Sequence, residues 1–166
     1  MIRLRSLSLS NWRSHRSFHV DLCDGQNGFI GPNGSGKSSI LLGLGAALCA
    51  EFFGLERGSV TTASSKEHGE AVVIFDSNGV EYKAARRLDP PAWTLEGGNL
   101  DASGEKDTAA ALTKALGMPL PVAARYMFVP QWSLAQWSSQ TPAVRARGLF
   151  ELFGLDEAED IEKSVN

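Results

Sequence analysis

Gly31-Pro32-Asn33-Gly34-Ser35-Gly36-Lys37-Ser38 fits G-x-x-x-x-G-K-[ST] at every position, the pattern of a loop that wraps nucleotide phosphates. The chemistry explains the spacing. A polyphosphate needs several backbone N–H groups aimed at it from one concave loop, and glycines give the chain that curvature. Lys37 supplies a point charge for the β- and γ-phosphates, and the Ser38 hydroxyl is a ligand for Mg²⁺. A helix beginning at the loop adds the positive end of its dipole. These residues imply a nucleoside triphosphate site, with Asn33, Gly34, Ser35, Gly36, Lys37, Ser38 and Ser39 as its nucleotide contacts.

The flanks must position this loop. Asn27-Gly28-Phe29-Ile30 is a short apolar run that predicts a strand feeding it, and Ser39 to Leu48 predicts a buried, almost wholly apolar helix leaving it. Upstream, residues 2–9 read as a strand, Asn11-Trp12-Arg13-Ser14 as a turn, and Phe18, Val20 and Leu22 as the inward face of a second strand. This β-β-β entry predicts an antiparallel subdomain beside the P-loop sheet. Downstream, residues 54–69 read as loop. Asn78-Gly79 between apolar runs predicts a hairpin, because a type I′ turn needs positive φ at both positions. Residues 89–105 read as an irregular excursion or short ribbon. Asp107 caps a predicted helix that Gly117 ends, Pro121 to Met127 is a second helix, and a third begins near Pro142. The polar stretch from Leu155 resumes as helix.

Composition sets wider bounds. The 166 residues suit one domain, and a net charge of −3 carries no global signature of a nucleic-acid partner. Charge is uneven, with Arg3, Arg5, Arg13, His15 and Arg16 crowded at the start and Glu151 to Glu162 acidic. No window approaches the roughly 18 apolar residues of a membrane span. Cys23 and Cys49 share no metal or redox spacing and read as two buried free thiols of a reducing compartment.

Three patterns lie in fixed order: Asn11-Trp12-Arg13-Ser14-His15, the phosphate loop with Ser38-Ser39, and Tyr126-Met127-Phe128-Val129-Pro130-Gln131. Together with Glu81-Tyr82-Lys83 to Arg86-Arg87, they resemble the N-terminal half of the ATPase head in the structural-maintenance-of-chromosomes superfamily. Within it, the chain is most similar to the double-strand-break repair branch, the Rad-fifty/SbcC type. The alternative is the cohesin/condensin branch of chromosome-architecture ATPases, but Arg13-Ser14-His15 and Ser38-Ser39 favour repair. A membrane-transporter nucleotide-binding domain fits less well.

The resemblance implies an α/β P-loop NTPase fold. Residues 1–154 would form lobe I of an ABC-type head with an antiparallel β-subdomain, and 155–166 the start of a coiled coil. It implies that Gln131 coordinates Mg²⁺ through its amide oxygen and orients water for hydrolysis, as Lys37 acts on phosphate. Arg13 and Ser14 would reach back over the loop to the nucleotide. Trp132 and Trp137 read as core or lobe-interface residues. The Asp-Glu that ends an apolar Walker B strand and the Ser-Gly-Gly signature are absent, Asp76 being followed by the hairpin turn. The chain is therefore expected to be the N-terminal lobe of a split head, inactive alone and completed by a C-terminal half that carries both elements. The implied cofactors are ATP and Mg²⁺. The implied partners are that half, a second head in an ATP-dependent homodimer, a nuclease subunit and DNA, with no membrane. The expected location is the cytoplasm, at the nucleoid, in a prokaryote or phage, and the nucleus in a eukaryote.

Overall fold

The computed structural model describes residues 1–49, 68–88, 90–128 and 140–145. Strands β1 (Ile2–Trp12) and β2 (His15–Asp21) precede helix α1 (Lys37–Cys49). Strands β3 (Glu70–Ser77), β4 (Val80–Leu88), β5 (Pro91–Glu96) and β6 (Ala102–Ser103) follow, then helices α2 (Glu105–Leu116) and α3 (Leu120–Met127). The six strands form one sheet in the order β2-β1-β3-β4-β5-β6, and every pairing is antiparallel. The antiparallel pairing expected from the sequence is present, but among the described residues it forms one sheet and not a subdomain beside a second, P-loop sheet.

Alternation decides which face is inward. On β3, Ala71, Val73, Phe75 and Ser77 are buried while their neighbours are half-exposed, and Tyr82, Ala84, Arg86 and Leu88 continue that inner face on β4. Helix α1 packs on this face against β1, β3 and β4. It has no polar stripe, and ten of its residues are buried, as suits a helix enclosed on most sides. At Gly43 an added Cβ would lie 2.4 Å from Leu9 Cδ2, so a larger residue there would require the Leu9 side chain to move.

The turn chemistry is local and follows expectation. Asn78 and Gly79 take φ 52° and 83°, closing the β3–β4 hairpin in unbroken register from Ser77↔Val80 to Glu70↔Arg87. Gly117 ends α2 at φ 71°, its N–H bonded to Thr113 O. The start of α2 differs from expectation. It begins at Glu105 after Gly104, with no side-chain cap, and Asp107 lies inside the first turn beside Glu105, where both carboxylates complement the helix dipole. Residues 91–96 and 102–103 form the expected ribbon, and α3 starts one residue before the expected Pro121.

Three further expectations are corrected. Residues 27–30 are not a strand: they join no ladder among the described residues, and Ile30 is fully exposed. An apolar run becomes a strand only when a neighbour takes its N–H and C=O groups. Trp12 is not a turn residue but the end of β1, paired with His15 and wholly buried, so the turn shrinks to Arg13 and Ser14. Cys49 is buried but Cys23 is exposed, its Sγ 3.2 Å from Asn27 Oδ1, and neither forms a disulfide.

The chain divides into Met1–Leu120, which holds the sheet with α1 and α2, and Pro121–Asn166, whose described part is α3 from Pro121 and the turn of helix at 142–145. Among the described residues no helix is long and apolar enough to cross a membrane.

Candidate functional site

The glycine-rich loop sits at the N-terminus of α1 with its middle exposed. Gly34 and Gly36 take φ 81° and 95°, a region that side-chain-bearing residues rarely enter. Nothing lies within 4 Å of where a Cβ on Gly34 would stand, so this part of the backbone is open to a ligand. The first bonds of the helix run from Ser39 N and Ile40 N to Gly36 O, at 2.9 and 3.3 Å. The amides of Lys37 and Ser38 thus stand ahead of the hydrogen-bonded helix, where an anion is best received. The first turn of α1 contains no acidic residue to compete for that place.

Lys37 curls back over its own loop. Its ammonium donates to Gly31 O at 2.8 Å and Pro32 O at 2.7 Å, drawing the loop closed around one positive charge. Ser38 is exposed at the rim. Ser39 is not: only 5% of it is accessible, and its carbonyl accepts the Trp12 indole N–H at 3.0 Å. The two adjacent serines therefore face different surroundings, Ser38 toward solvent and Ser39 toward the sheet. Asn33, Gly34 and Ser35 are exposed along the loop.

The β1–β2 turn packs against this loop. Arg13 takes φ 53°, an uncommon conformation for a residue with a long side chain. Such outliers concentrate at functional positions. An added Cβ on Gly36 would lie 2.4 Å from both Ser14 Oγ and His15 Nε2, so Ser14 stands directly beside the loop. His15 Nε2 lies 3.1 Å from Gly36 O. Thus the structure brings Ser14 together with the loop of residues 31–38 and places Arg13 in the same turn. Gln131, Trp132, Trp137 and the stretch 155–166 lie outside the described residues.

Sequence reading missed Trp12 and His15 as parts of this site. The signal available was the cluster Trp12-Arg13-Ser14-His15 itself, but its polar members hid that the first residue completes a strand and the last begins one.

Asp76 is committed elsewhere. Its carboxylate accepts Arg5 Nε at 2.6 Å across the β1–β3 pair, and this hydrogen bond, with the carboxylate's charge, raises the already high pKa of Arg5.

A family model described as an AAA domain matches residues 6–107. The chain is 27% identical over 159 residues to the DNA double-strand break repair Rad50 ATPase of Methanocaldococcus jannaschii, covering 94% of this chain and 16% of that protein. It is 28% identical over 150 residues to the C component of nuclease SbcCD from Deinococcus radiodurans, covering 80% of this chain and 16% of the relative. Among solved structures, the recombination mediator protein RecF with ATP superposes with a TM-score of 0.51 at 15% identity, over 62% of this chain and 28% of that one. The last likeness concerns the fold: an ATPase-type P-loop fold with an antiparallel sheet. The chain spans about a sixth of the length of the two curated relatives.

Proposed function

Because the chain belongs to the AAA-domain family and is an N-terminal region of the Rad50 type in the structural-maintenance-of-chromosomes superfamily, we propose that it forms the ATP-binding half of a DNA double-strand-break repair ATPase head. The observation that carries this reading is the loop at residues 31–38, closed by Lys37 and opening the dipole of α1. ATP would sit with its phosphates on the amides of Asn33 to Ser38, and Lys37 would exchange its two carbonyl partners for phosphate oxygens. Arg13 and Ser14 would contact the nucleotide from the adjacent turn. Mg²⁺ gives up its waters reluctantly and is usually held by substrate phosphates with few protein ligands. An exposed Ser38 hydroxyl at the rim fits that need, with Gln131 as the second protein ligand.

A second lobe is part of the proposal. An open groove of about 440 Å³ has Ile2, Leu4, Leu22, Phe29, Leu41 and Leu44 in its lining, and Leu41 remains 49% exposed. Ile30 is fully exposed beside the loop, and these are apolar side chains that a second lobe would take out of water. A C-terminal half carrying the Walker B and signature elements would cover them and give residues 27–30 a ladder that they do not form among the described residues. Residues 155–166 would then start a coiled coil. The complete protein would act on DNA with a nuclease partner, in the cytoplasm of a prokaryote or the nucleus of a eukaryote.

Joined to that half, the head should be monomeric without nucleotide and dimeric with Mg²⁺ and a non-hydrolysable ATP analogue. ADP should not dimerise it, because the γ-phosphate is the group two heads would share. Light scattering with each nucleotide in turn checks this, and equal masses with both would sink the sandwich mechanism. Gln131→Ala should leave ATP binding largely intact while lowering turnover of the complete head about 10-fold or more, the scale of one lost ligand or orienting contact. Steady-state kinetics beside a binding isotherm separates the two effects, and an unchanged kcat removes Gln131 from the mechanism.

A further inference from the structure

Two aromatic side chains of β2 brace the phosphate loop near both its ends. The His15 ring packs on Phe18 with centroids 4.9 Å apart, and Phe18 meets Phe29 edge-on at 6.5 Å. Phe29 enters the loop and Gly36 lies within it. The remaining contact is polar. His15 Nε2 stands 3.1 Å from Gly36 O, and since a carbonyl only accepts, it is Nε2 that carries the hydrogen.

That carbonyl occupies a sensitive place. A trans peptide is planar, with its C=O and N–H pointing in opposite directions. The direction of Gly36 O therefore sets the direction of the Lys37 N–H. Gly36, at φ 95°, has no Cβ to stop the Gly36–Lys37 peptide from rotating. The bonds from Ser39 N and Ile40 N hold Gly36 O from the helix side, and His15 holds it from the β1–β2 turn.

We infer that His15 is a positioning residue of the nucleotide site. By donating its Nε2–H to Gly36 O, it prevents the Gly36–Lys37 peptide from flipping and keeps the Lys37 amide aimed away from the sheet, toward the phosphates. The restraint on the peptide stands on the contacts alone; its effect on affinity rests on the proposed nucleotide reading.

Two substitutions of His15 separate the hydrogen bond from the packing. His15→Phe keeps a ring against Phe18 but has no donor, whereas His15→Gln places an amide N–H near the position of Nε2 without the ring. Calorimetry with Mg-ATP on the full chain should show binding weakened about 5-fold in His15→Phe, the scale of one neutral hydrogen bond, and within about 2-fold of wild type in His15→Gln. Hydrogen exchange without nucleotide should be faster at the Ser39 and Ile40 amides in His15→Phe and restored in His15→Gln. If His15→Phe does not fold, His15→Leu takes its place. Wild-type affinity and exchange in the donor-less variant would overturn the inference, as would a glutamine variant as impaired as the phenylalanine one. Lys37→Ala in the same series keeps the two readings apart. If it binds ATP like wild type, the nucleotide reading falls, while the exchange rates still decide whether His15 holds the peptide.

Discussion

Replacing Lys37 with alanine is expected to abolish measurable ATP binding while leaving the fold intact. The ammonium is the one cationic group within the loop, and it is already inside it, 2.8 and 2.7 Å from the carbonyls of Gly31 and Pro32. When phosphate arrives, those contacts are exchanged for charge-assisted ones, worth about 1.5–3 kcal/mol each. Losing both, about 3–6 kcal/mol, corresponds to a weakening on the order of 10²- to 10⁴-fold. Stability should change little, because both carbonyls belong to exposed residues and water can replace the ammonium as their donor. Calorimetric titration with Mg-ATP, with near-ultraviolet circular dichroism to verify the fold, is the measurement. Wild-type affinity in this variant would exclude the loop as the nucleotide site.

The second large effect is on stability and lies away from the loop. Arg86 is completely buried on β4, its guanidinium 4.7 Å from the ring centre of Trp93. Its two terminal nitrogens donate to the Glu105 carboxylate at 2.8 and 2.6 Å, a paired fork that joins the sheet to the first turn of α2. Trp93 in turn donates its indole N–H to Ala47 O in α1 at 2.8 Å, and its carbonyl accepts the Thr108 hydroxyl of α2 at 2.9 Å. One cluster therefore ties both helices to β4 and β5. Glu105→Ala leaves the buried guanidinium without that carboxylate. Breaking a buried pair costs about 3–5 kcal/mol; Glu105 is half-exposed, so screening brings the expected loss to about 2–3 kcal/mol. For a chain of this length that corresponds to a melting temperature lower by about 8 °C. Arg86→Met combined with Glu105→Ala should recover more than half of the loss, because a thioether can lie on the Trp93 ring with no charge to solvate. Urea unfolding of the three proteins measures this. A single variant within about 0.5 kcal/mol of wild type, the usual range for surface substitutions, would show that the pair is no clasp.

Arg86 also shows where reading the chain alone reaches its limit. In sequence it stands beside Arg87 in a basic pair, and nothing local separates them. Strand alternation turns one inward and the other outward, and the inward one is met by Trp93 and Glu105, which arrive from other elements. His15 is similar: in sequence it is one of several basic residues crowded at the start of the chain, and only the fold sets its ring against Gly36 O.

What the residues determined by themselves was local. The spacing of Gly31, Gly36, Lys37 and Ser38 fits the pattern of a phosphate loop, because phosphate geometry and glycine's freedom at positive φ act within a few residues. Asn78-Gly79 and Gly117 fix a turn and a helix end for the same reason. Tertiary structure decided the rest, because the partners lie far apart along the chain. Trp12 became core by meeting Ser39 O, 27 positions away, and His15 became part of the loop by meeting Gly36 O, 21 positions away. Residues 27–30 are the converse case. Their pattern is that of a strand, but a strand's hydrogen bonds are made by its neighbours, and among the described residues none pairs with them in a ladder.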